Sequence, residues 1–260
     1  MINYRGRTNL SPVCCSGLRR RRSRGRAVRV MLATLGVLAA TAVSAPASGR
    51  AETAHPVLLV HGGLGEPGDF ALMVVRLLAD GYRPYTVELD PFGIDTVSNA
   101  GRIKAKVDQI RATTGASKVH LVGHSMGGLS ARYYIKILDG LPTVASYTAF
   151  GTPQHGSPQH SCHPADPIPD QCPTGSVLTE LNRGDDTPGS IHYTSIASRQ
   201  AHPEEANGKW APLDQGACLP MVNGGTHGAE PSNAVIYQAV KDGLNSTCPT
   251  GLTNLPEITP

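Results

Sequence analysis

Two hydrophobic patterns alternate along the chain from residue 56 to residue 244. Short apolar runs rich in β-branched residues indicate buried strands, and apolar residues spaced three and four apart indicate helices. The predicted strands are Pro56–Val60, Pro84–Leu89, Val119–Val122, Ser146–Phe150, Tyr193–Ala197 and Leu219–Val222. The predicted helices are Phe70–Leu78, Thr96–Thr113, Gly128–Leu138, Ser176–Asn182 and Ser232–Leu244. This alternation is typical of an α/β protein with a mostly parallel central sheet flanked by helices.

The first 51 residues follow a different pattern. Residues 1–29 contain nine arginines and no acidic residue, and the apolar run Val30–Val43 follows them. Small residues come next, so the order is that of a secretory signal peptide with cleavage near residues 47–51. An uncleaved amphipathic anchor is the alternative. We expect a secreted protein with one domain, residues 52–248, and a loosely ordered tail, residues 249–260.

Removal of the signal peptide reverses the net charge. The whole chain has a formal charge of +3, whereas residues 51–260 carry 13 basic and 20 acidic residues, a charge of −7. A negative domain is a poor partner for nucleic acid. No later apolar stretch approaches membrane length, so we expect a soluble monomer.

Four cysteines follow the signal peptide: Cys162, Cys172, Cys218 and Cys248. An even number in an exported chain predicts two disulfides, for which three pairings exist. We favour Cys162–Cys172 and Cys218–Cys248, because each pair closes a local unit. The alternative is a zinc site made of His160, Cys162, His163 and Cys172. The first pair lies in a long loop, residues 152–175, which we expect at the rim of a site.

A nucleophile motif connects the third predicted strand to the following helix. Residues 123–127 read Gly-His-Ser-Met-Gly, which matches G-x-S-x-G in the strand–turn–helix setting that the motif requires. Ser125 is therefore the candidate nucleophile. The backbone N–H of Met126 is a candidate donor to an oxyanion, because it lies at a helix N-terminus.

Two further motifs complete the candidate chemistry. Gly63 follows the first strand in His-Gly-Gly and is the candidate for the second oxyanion donor. His227 follows the last predicted strand and precedes the final helix, which is the place of the general base in this chain order. His192 and His202 are rivals for that role. A histidine base predicts activity that rises through about pH 6–7.

With these motifs in hand, the chain resembles the small secreted bacterial triacylglycerol lipases of lipase class 2. The resemblance runs from about Pro56 to Leu244, and it rests on residues 60–62, 120–128 and 151–156, on 181–185 and 193–196, and on Thr226-His227. It implies a compact α/β-hydrolase fold with little or no lid. It also implies carboxylic ester hydrolysis through a serine acyl-enzyme, with no cofactor and no metal, on an ester or lipid substrate, with transient contact to a lipid surface.

One residue of that family's pattern is missing. The position that holds the acid of the triad reads Ala201 in this chain. The nearest acids are Glu204, which we favour, and Glu205; both could instead be solvated loop charges. The departure leaves a second interpretation open, in which the protein is a catalytically weak or silent hydrolase-fold protein that binds a lipid or a surface partner.

The length of the domain limits the cover over the site. About 210 residues leave little chain for a lid, so we expect a shallow, open acyl site, weak interfacial activation and a preference for short or medium acyl chains. The candidate apolar residues near the motifs are Leu64, Phe70, Met126 and Met221.

Overall fold

The structure is a computed structural model. It describes residues 55–248, apart from 91, 93, 164, 208, 214 and 215, together with residues 253–254. The expected signal peptide and its cleavage site lie outside the described residues, as does most of the expected tail. Within the part that is described, no helix is long and apolar enough to cross a membrane.

The core of the fold is a sheet that contains eight strands within the described residues. Their order is β2-β1-β3-β4-β5-β7-β8, with β6 paired to β5 beside β7. Every pair is parallel except β7 with β8. The strands are β1 Val57–Val60, β2 Pro84–Thr86, β3 Val119–His124, β4 Val144–Phe150, β5 His192–Ser198, β6 Ala217–Cys218, β7 Pro220–Val222 and β8 Thr253–Asn254. The α/β architecture predicted from the hydrophobic pattern is confirmed.

Helices connect the strands and cover both faces of the sheet. They are α1 Ala71–Ala79, α2 Thr96–Thr114, α3 Met126–Ile137, α4 Ser176–Leu181, α5 Pro203–Ala206 and α6 Ala234–Leu244. Four 3-10 turns lie between them: Pro67–Phe70, Leu141–Thr143, Pro169–Gln171 and His227–Ser232. Local sequence signals set the ends of α2. The Asp95 carboxylate accepts the Ser98 N–H at the start of the helix, and Gly115, with a φ of 73°, ends it.

The side chains of β1 alternate between two hydrophobic cores. Leu58 and Val60 join the core beneath α2 and α3, whereas Val57 and Leu59 join the core beneath α1 and α6. A strand that is covered on both faces needs apolar residues at every position, which is why β1 reads as a continuous apolar run. This double cover fixes the carboxyl ends of the strands, where the motif residues lie.

The last predicted strand, Leu219–Val222, forms as β7, and the separate short strand β6 precedes it. Ala217–Cys218 pairs with β5 at Tyr193 and Thr194, and Pro220–Val222 pairs with the later residues Ala197 and Ser198. Leu219 separates the two pairings. Two residues of the expected tail also contribute to the sheet, because β8 pairs antiparallel with β7.

Both preferred disulfides are present. Cys162 is bonded to Cys172 and Cys218 to Cys248, with Cα–Cα distances of 5.2 and 5.5 Å. The first bond uses both sulfur atoms that the alternative zinc site would have required. It closes part of the long loop at the carboxyl end of the sheet.

Candidate active site

Ser125 lies on a strained turn between β3 and α3. Its backbone has φ 54° and ψ −129°, a conformation that non-glycine residues rarely adopt. The glycines of the motif permit this turn: a Cβ on Gly123 would lie 2.6 Å from the Gly128 Cα, and one on Gly127 would lie 2.3 Å from the His61 carbonyl oxygen. The elbow predicted from the sequence is thus formed, and α3 begins at Met126, two residues earlier than predicted.

The oxyanion candidates lie beside each other. Gly63 follows β1, and a Cβ placed on it would be 3.6 Å from the Met126 Cγ. Met126 opens α3, where the first backbone N–H groups have no partner within the helix. The Met126 sulfur accepts a hydrogen bond from Gln171 Nε2 at 2.8 Å, so the long loop braces this residue.

His227 is the histidine that reaches the nucleophile. Its Nε2 lies 3.0 Å from the Ser125 Oγ. His192 lies at the start of β5, and His202 stacks on the Trp210 ring with centroids 4.9 Å apart. Among the three candidates, only His227 makes a described contact with Ser125.

Two buried carboxyl groups lie at the other nitrogen of His227. The Nδ1 atom is 3.4 Å from Glu205 Oε2 and 3.2 Å from Glu230 Oε2, and both glutamate side chains are fully buried. Glu205 comes from α5, and its Oε1 accepts the backbone N–H of Ser198 at 2.9 Å. The side chain of Glu204, the acid favoured from the sequence, lies outside the described residues. Of the two acids considered from the sequence, Glu205 is the one whose side chain is described, and it contacts His227.

Glu230 was not anticipated from the sequence. It lies one turn after His227 in the 3-10 segment His227–Ser232, which brings residues three apart to the same side. The sequence did carry one signal for Glu230, its position three residues after His227. That spacing indicates a contact only if the segment after His227 is helical. Glu230 Oε2 also lies 3.2 Å from His124 Nε2, so this carboxyl group contacts two histidines.

The two carboxyl groups change the protonation of the site. Burial lowers the pKa of His227, but Glu205 and Glu230 outweigh it and raise that pKa to about 9. Burial raises the pKa of Glu205 to about 7, against the contact with His227. His124 remains neutral, because burial and the nearby His227 lower its pKa to about 3. The activity range expected from an ordinary histidine, about pH 6–7, therefore shifts upward.

His124, His227 and Glu230 also form the group within the described residues that could hold a metal ion. Their candidate ligand atoms all lie within 4.8 Å of one another. The contacts of Glu230 with both rings already account for this arrangement, because each ring nitrogen faces the carboxyl group. The chemistry that the cluster supports is proton transfer at Ser125.

A buried charge network fixes the start of the long loop. Arg132 on α3 is fully buried and donates to Gln154 Oε1 at 2.8 Å. It lies 3.6 Å from Asp186, which also contacts His155 at 2.8 Å. Thr152, in the same loop, donates to the Ser125 carbonyl at 3.0 Å. The network thus ties the loop to the helix that begins at the elbow.

The rim of the site has exposed apolar side chains. Leu64 and Phe92 are 79% and 58% exposed, and the Leu64 N–H donates to the Phe92 carbonyl, which joins their two loops. Of the other apolar candidates, Phe70 and Met221 are buried in the two cores. Neither side chain is therefore exposed at the rim.

The parallel sheet and the elbow between β3 and α3 are those of the α/β-hydrolase fold. A family model described as the alpha/beta hydrolase fold matches residues 55–168.

The chain is similar in sequence to bacterial triacylglycerol lipases. It is 39% identical to one from Burkholderia plantarii over 129 residues, 46% of this chain and 35% of the relative. It is 31% identical to one from Vibrio cholerae over 163 residues, 60% of this chain and 49% of the relative. The chain thus spans half or less of the length of these curated relatives.

Solved structures agree on the fold. Bacillus licheniformis lipase BlEst2 in its mature form matches with a TM-score of 0.63 at 18% identity, over 74% of this chain and 93% of that one. Aspergillus fumigatus lipase B matches with a TM-score of 0.62 at 17% identity, over 75% of this chain and 53% of that one.

Proposed function

We propose that the protein is a secreted carboxylic ester hydrolase of the lipase and esterase type. Ser125 is the nucleophile, His227 the general base, Glu205 the acid, and the N–H groups of Gly63 and Met126 form the oxyanion hole. The observation that carries the proposal is the 3.0 Å contact between His227 Nε2 and Ser125 Oγ, on a strained elbow. A nucleophile and base within hydrogen-bond reach, with the base held by an acid, is the arrangement of acyl-transfer enzymes.

The reaction follows from these positions. Ser125 Oγ attacks the ester carbonyl carbon while His227 Nε2 takes the hydroxyl proton, and the negative charge on the carbonyl oxygen is stabilised by the two N–H groups. His227 then gives the proton to the leaving alcohol, which leaves an acyl-enzyme. A water molecule, activated by the same histidine, releases the carboxylic acid. Each oxyanion donor contributes about 3–4 kcal/mol to such a step.

Two observations support the substrate class: the names of the relatives and the exposed apolar side chains at the rim of the site. The curated relatives are named triacylglycerol lipases. The exposed side chains of Leu64 and Phe92 beside the oxyanion loop suit an apolar acyl chain or a lipid surface. We propose an ester with a short or medium acyl chain as the preferred substrate. The chain carries two disulfides, which fits an exported enzyme.

The structure weakens the alternative of a silent binding protein. That alternative rested on Ala201 at the expected acid position. Two other carboxyl groups lie at His227 Nδ1, so the loss of an acid at position 201 does not leave the base without a charged neighbour.

Turnover of p-nitrophenyl butyrate and palmitate by the secreted protein, beside Ser125→Ala, tests the proposal. Ser130→Ala is the matched control, because Ser130 is a buried serine of α3, the helix that follows Ser125, and its hydroxyl makes no described hydrogen bond. We expect Ser125→Ala to lose activity by about 10⁴-fold or more and Ser130→Ala to keep it. An organophosphonate should label Ser125 in the parent protein. A folded parent that neither turns over nor takes the label would refute the proposal.

A further inference from the structure

Two carboxyl groups, rather than one, approach the imidazole nitrogen that faces away from the nucleophile. The distances from His227 Nδ1 are 3.2 Å to Glu230 and 3.4 Å to Glu205, so neither carboxyl group is clearly the closer partner. The nitrogen makes no well-aligned hydrogen bond to either. Its N–H can therefore serve both groups.

Both carboxyl groups are buried, and among the described groups that act on them only His227 can carry a positive charge. The titratable groups that act on them are His227 on their own side, His124 on β3, and Asp69, which influences His124 from the turn before α1. His124 is neutral, and Asp69 is acidic. Two buried carboxylates that face one nitrogen repel each other, and the repulsion is relieved if one of them takes up a proton.

The two carboxyl groups differ in their remaining polar contacts, as expected if only one of them is ionised. Glu205 Oε1 accepts the Ser198 N–H, which favours its ionised form, whereas Glu230 Oε1 is buried and has no hydrogen-bond partner. A neutral His124 has one N–H and one bare nitrogen. Its Nε2 lies 3.2 Å from Glu230 Oε2, a distance at which the carboxyl group could donate or accept.

We propose that Glu205 and Glu230 form a carboxyl–carboxylate pair that shares one proton and jointly orients His227, with Glu230 as a second positioning residue. The inference rests on the proposed function, since it assigns the acid of the same site. The pair carries one negative charge, as a single acid would, and either member can hold the imidazole N–H if the other is removed. A titration of such a pair belongs to the pair and not to one residue.

Infrared spectroscopy tests the shared proton without any substrate. A protonated carboxyl group has a C=O stretch separate from the carboxylate stretches, and it shifts in deuterated water. We expect this band in the parent protein at pH 6–7, and we expect it to be absent from Glu205→Gln and from Glu230→Gln, because a lone carboxylate beside His227 ionises. No band in the parent, or a band that survives in both single variants, would overturn the proposal.

Kinetics tests the joint role. Comparing values of kcat/KM at the alkaline plateau, we expect each single Gln variant to lose about tenfold. We expect the double variant to lose about 10³–10⁴-fold, the cost of a missing triad acid. The pair and a single remaining carboxylate carry the same charge, so each single variant should keep the pH at which activity rises. The double variant should shift that rise toward lower pH, because the negative charge beside His227 has gone; a purely structural role would not move that limb. Glu180→Gln is the control, because Glu180 is an acid on α4 whose partner is Tyr133.

The possible results separate this inference from the proposed function. A double variant that matches Glu205→Gln, both in kcat/KM and in the pH at which activity rises, would remove Glu230 from the site while the enzyme remains. The parent's infrared band can still be read if the protein hydrolyses no ester, so failure of the function does not hide the state of the pair.

Discussion

Gly62 lies against the nucleophile, and its substitution by alanine should impair chemistry more than folding. A Cβ at position 62 would lie 2.7 Å from the Ser125 Cβ and 3.3 Å from its Oγ. Gly62 does not have a positive φ, so alanine can adopt its backbone conformation. The effect of Gly62→Ala should therefore come from the contact with Ser125.

The size of the effect follows from the displacement. Ordinary van der Waals contact begins near 3.4 Å, so the two Cβ atoms must separate by about 0.7 Å. A displacement of about 1 Å in a reacting group costs about 10²-fold in rate, so we expect kcat/KM to fall about 10- to 100-fold. Overpacking costs about 1–3 kcal/mol, so the melting temperature should fall by about 2–12 °C for a domain of this size.

Steady-state turnover of p-nitrophenyl butyrate, the rate of organophosphonate labelling and thermal melting measure these effects together. Gly101→Ala is the matched control: a Cβ there meets nothing within 4 Å, and Gly101 lies within α2. It should raise stability by about 0.5–1 kcal/mol and keep the activity. If Gly62→Ala labels and turns over as fast as the parent, the contact with Ser125 does not limit the position of the nucleophile, and the reasoning fails.

Three further predictions concern the base, the buried charges and the rim. Because the base must be neutral and the pKa of His227 is raised to about 9, kcat/KM should still rise between pH 8 and 9; a plateau reached by pH 7 would contradict this. Asp186→Ala leaves Arg132 buried without that counter-charge, so unfolding free energy should fall by about 3–5 kcal/mol; chemical denaturation measures it, and an unchanged midpoint would refute it. Replacing Leu64 and Phe92 by serine should lower turnover of emulsified triglyceride at least tenfold, because each loses apolar contact worth about 1.5–3 kcal/mol. Turnover of the soluble butyrate ester should fall less, and equal losses on both substrates would count against a lipid-facing rim.

Features that depend on neighbouring residues were predictable from the sequence. The elbow is one, because its glycines, its strand and its helix lie within twelve residues of Ser125. The strands of the parallel sheet are another, since double cover leaves a continuous apolar run. Both disulfides were predicted because each closes a short stretch of chain.

The acid could not be read in the same way. Its position depends on how α5 folds back onto β5, which places Glu205 against the Ser198 N–H. The spacing of apolar residues along the chain does not indicate that packing. Glu230 was missed because a 3-10 turn, not a loop, follows the last strand, and only that turn brings Glu230 beside His227. A pattern of residues therefore located the nucleophile and the base, whereas tertiary packing selects the carboxyl groups.

The two ends of the sheet have a consequence for how the protein behaves at high concentration. An unpaired strand edge is a template for pairing with another chain. One end here is β2, which has only three residues and begins at Pro84, a residue without a backbone N–H. The other end is β8, which covers β7 just beyond the Cys218–Cys248 bond. Removal of residues 249–260 would uncover β7 and should make the chain prone to edge-to-edge aggregation, although every residue of the site would remain.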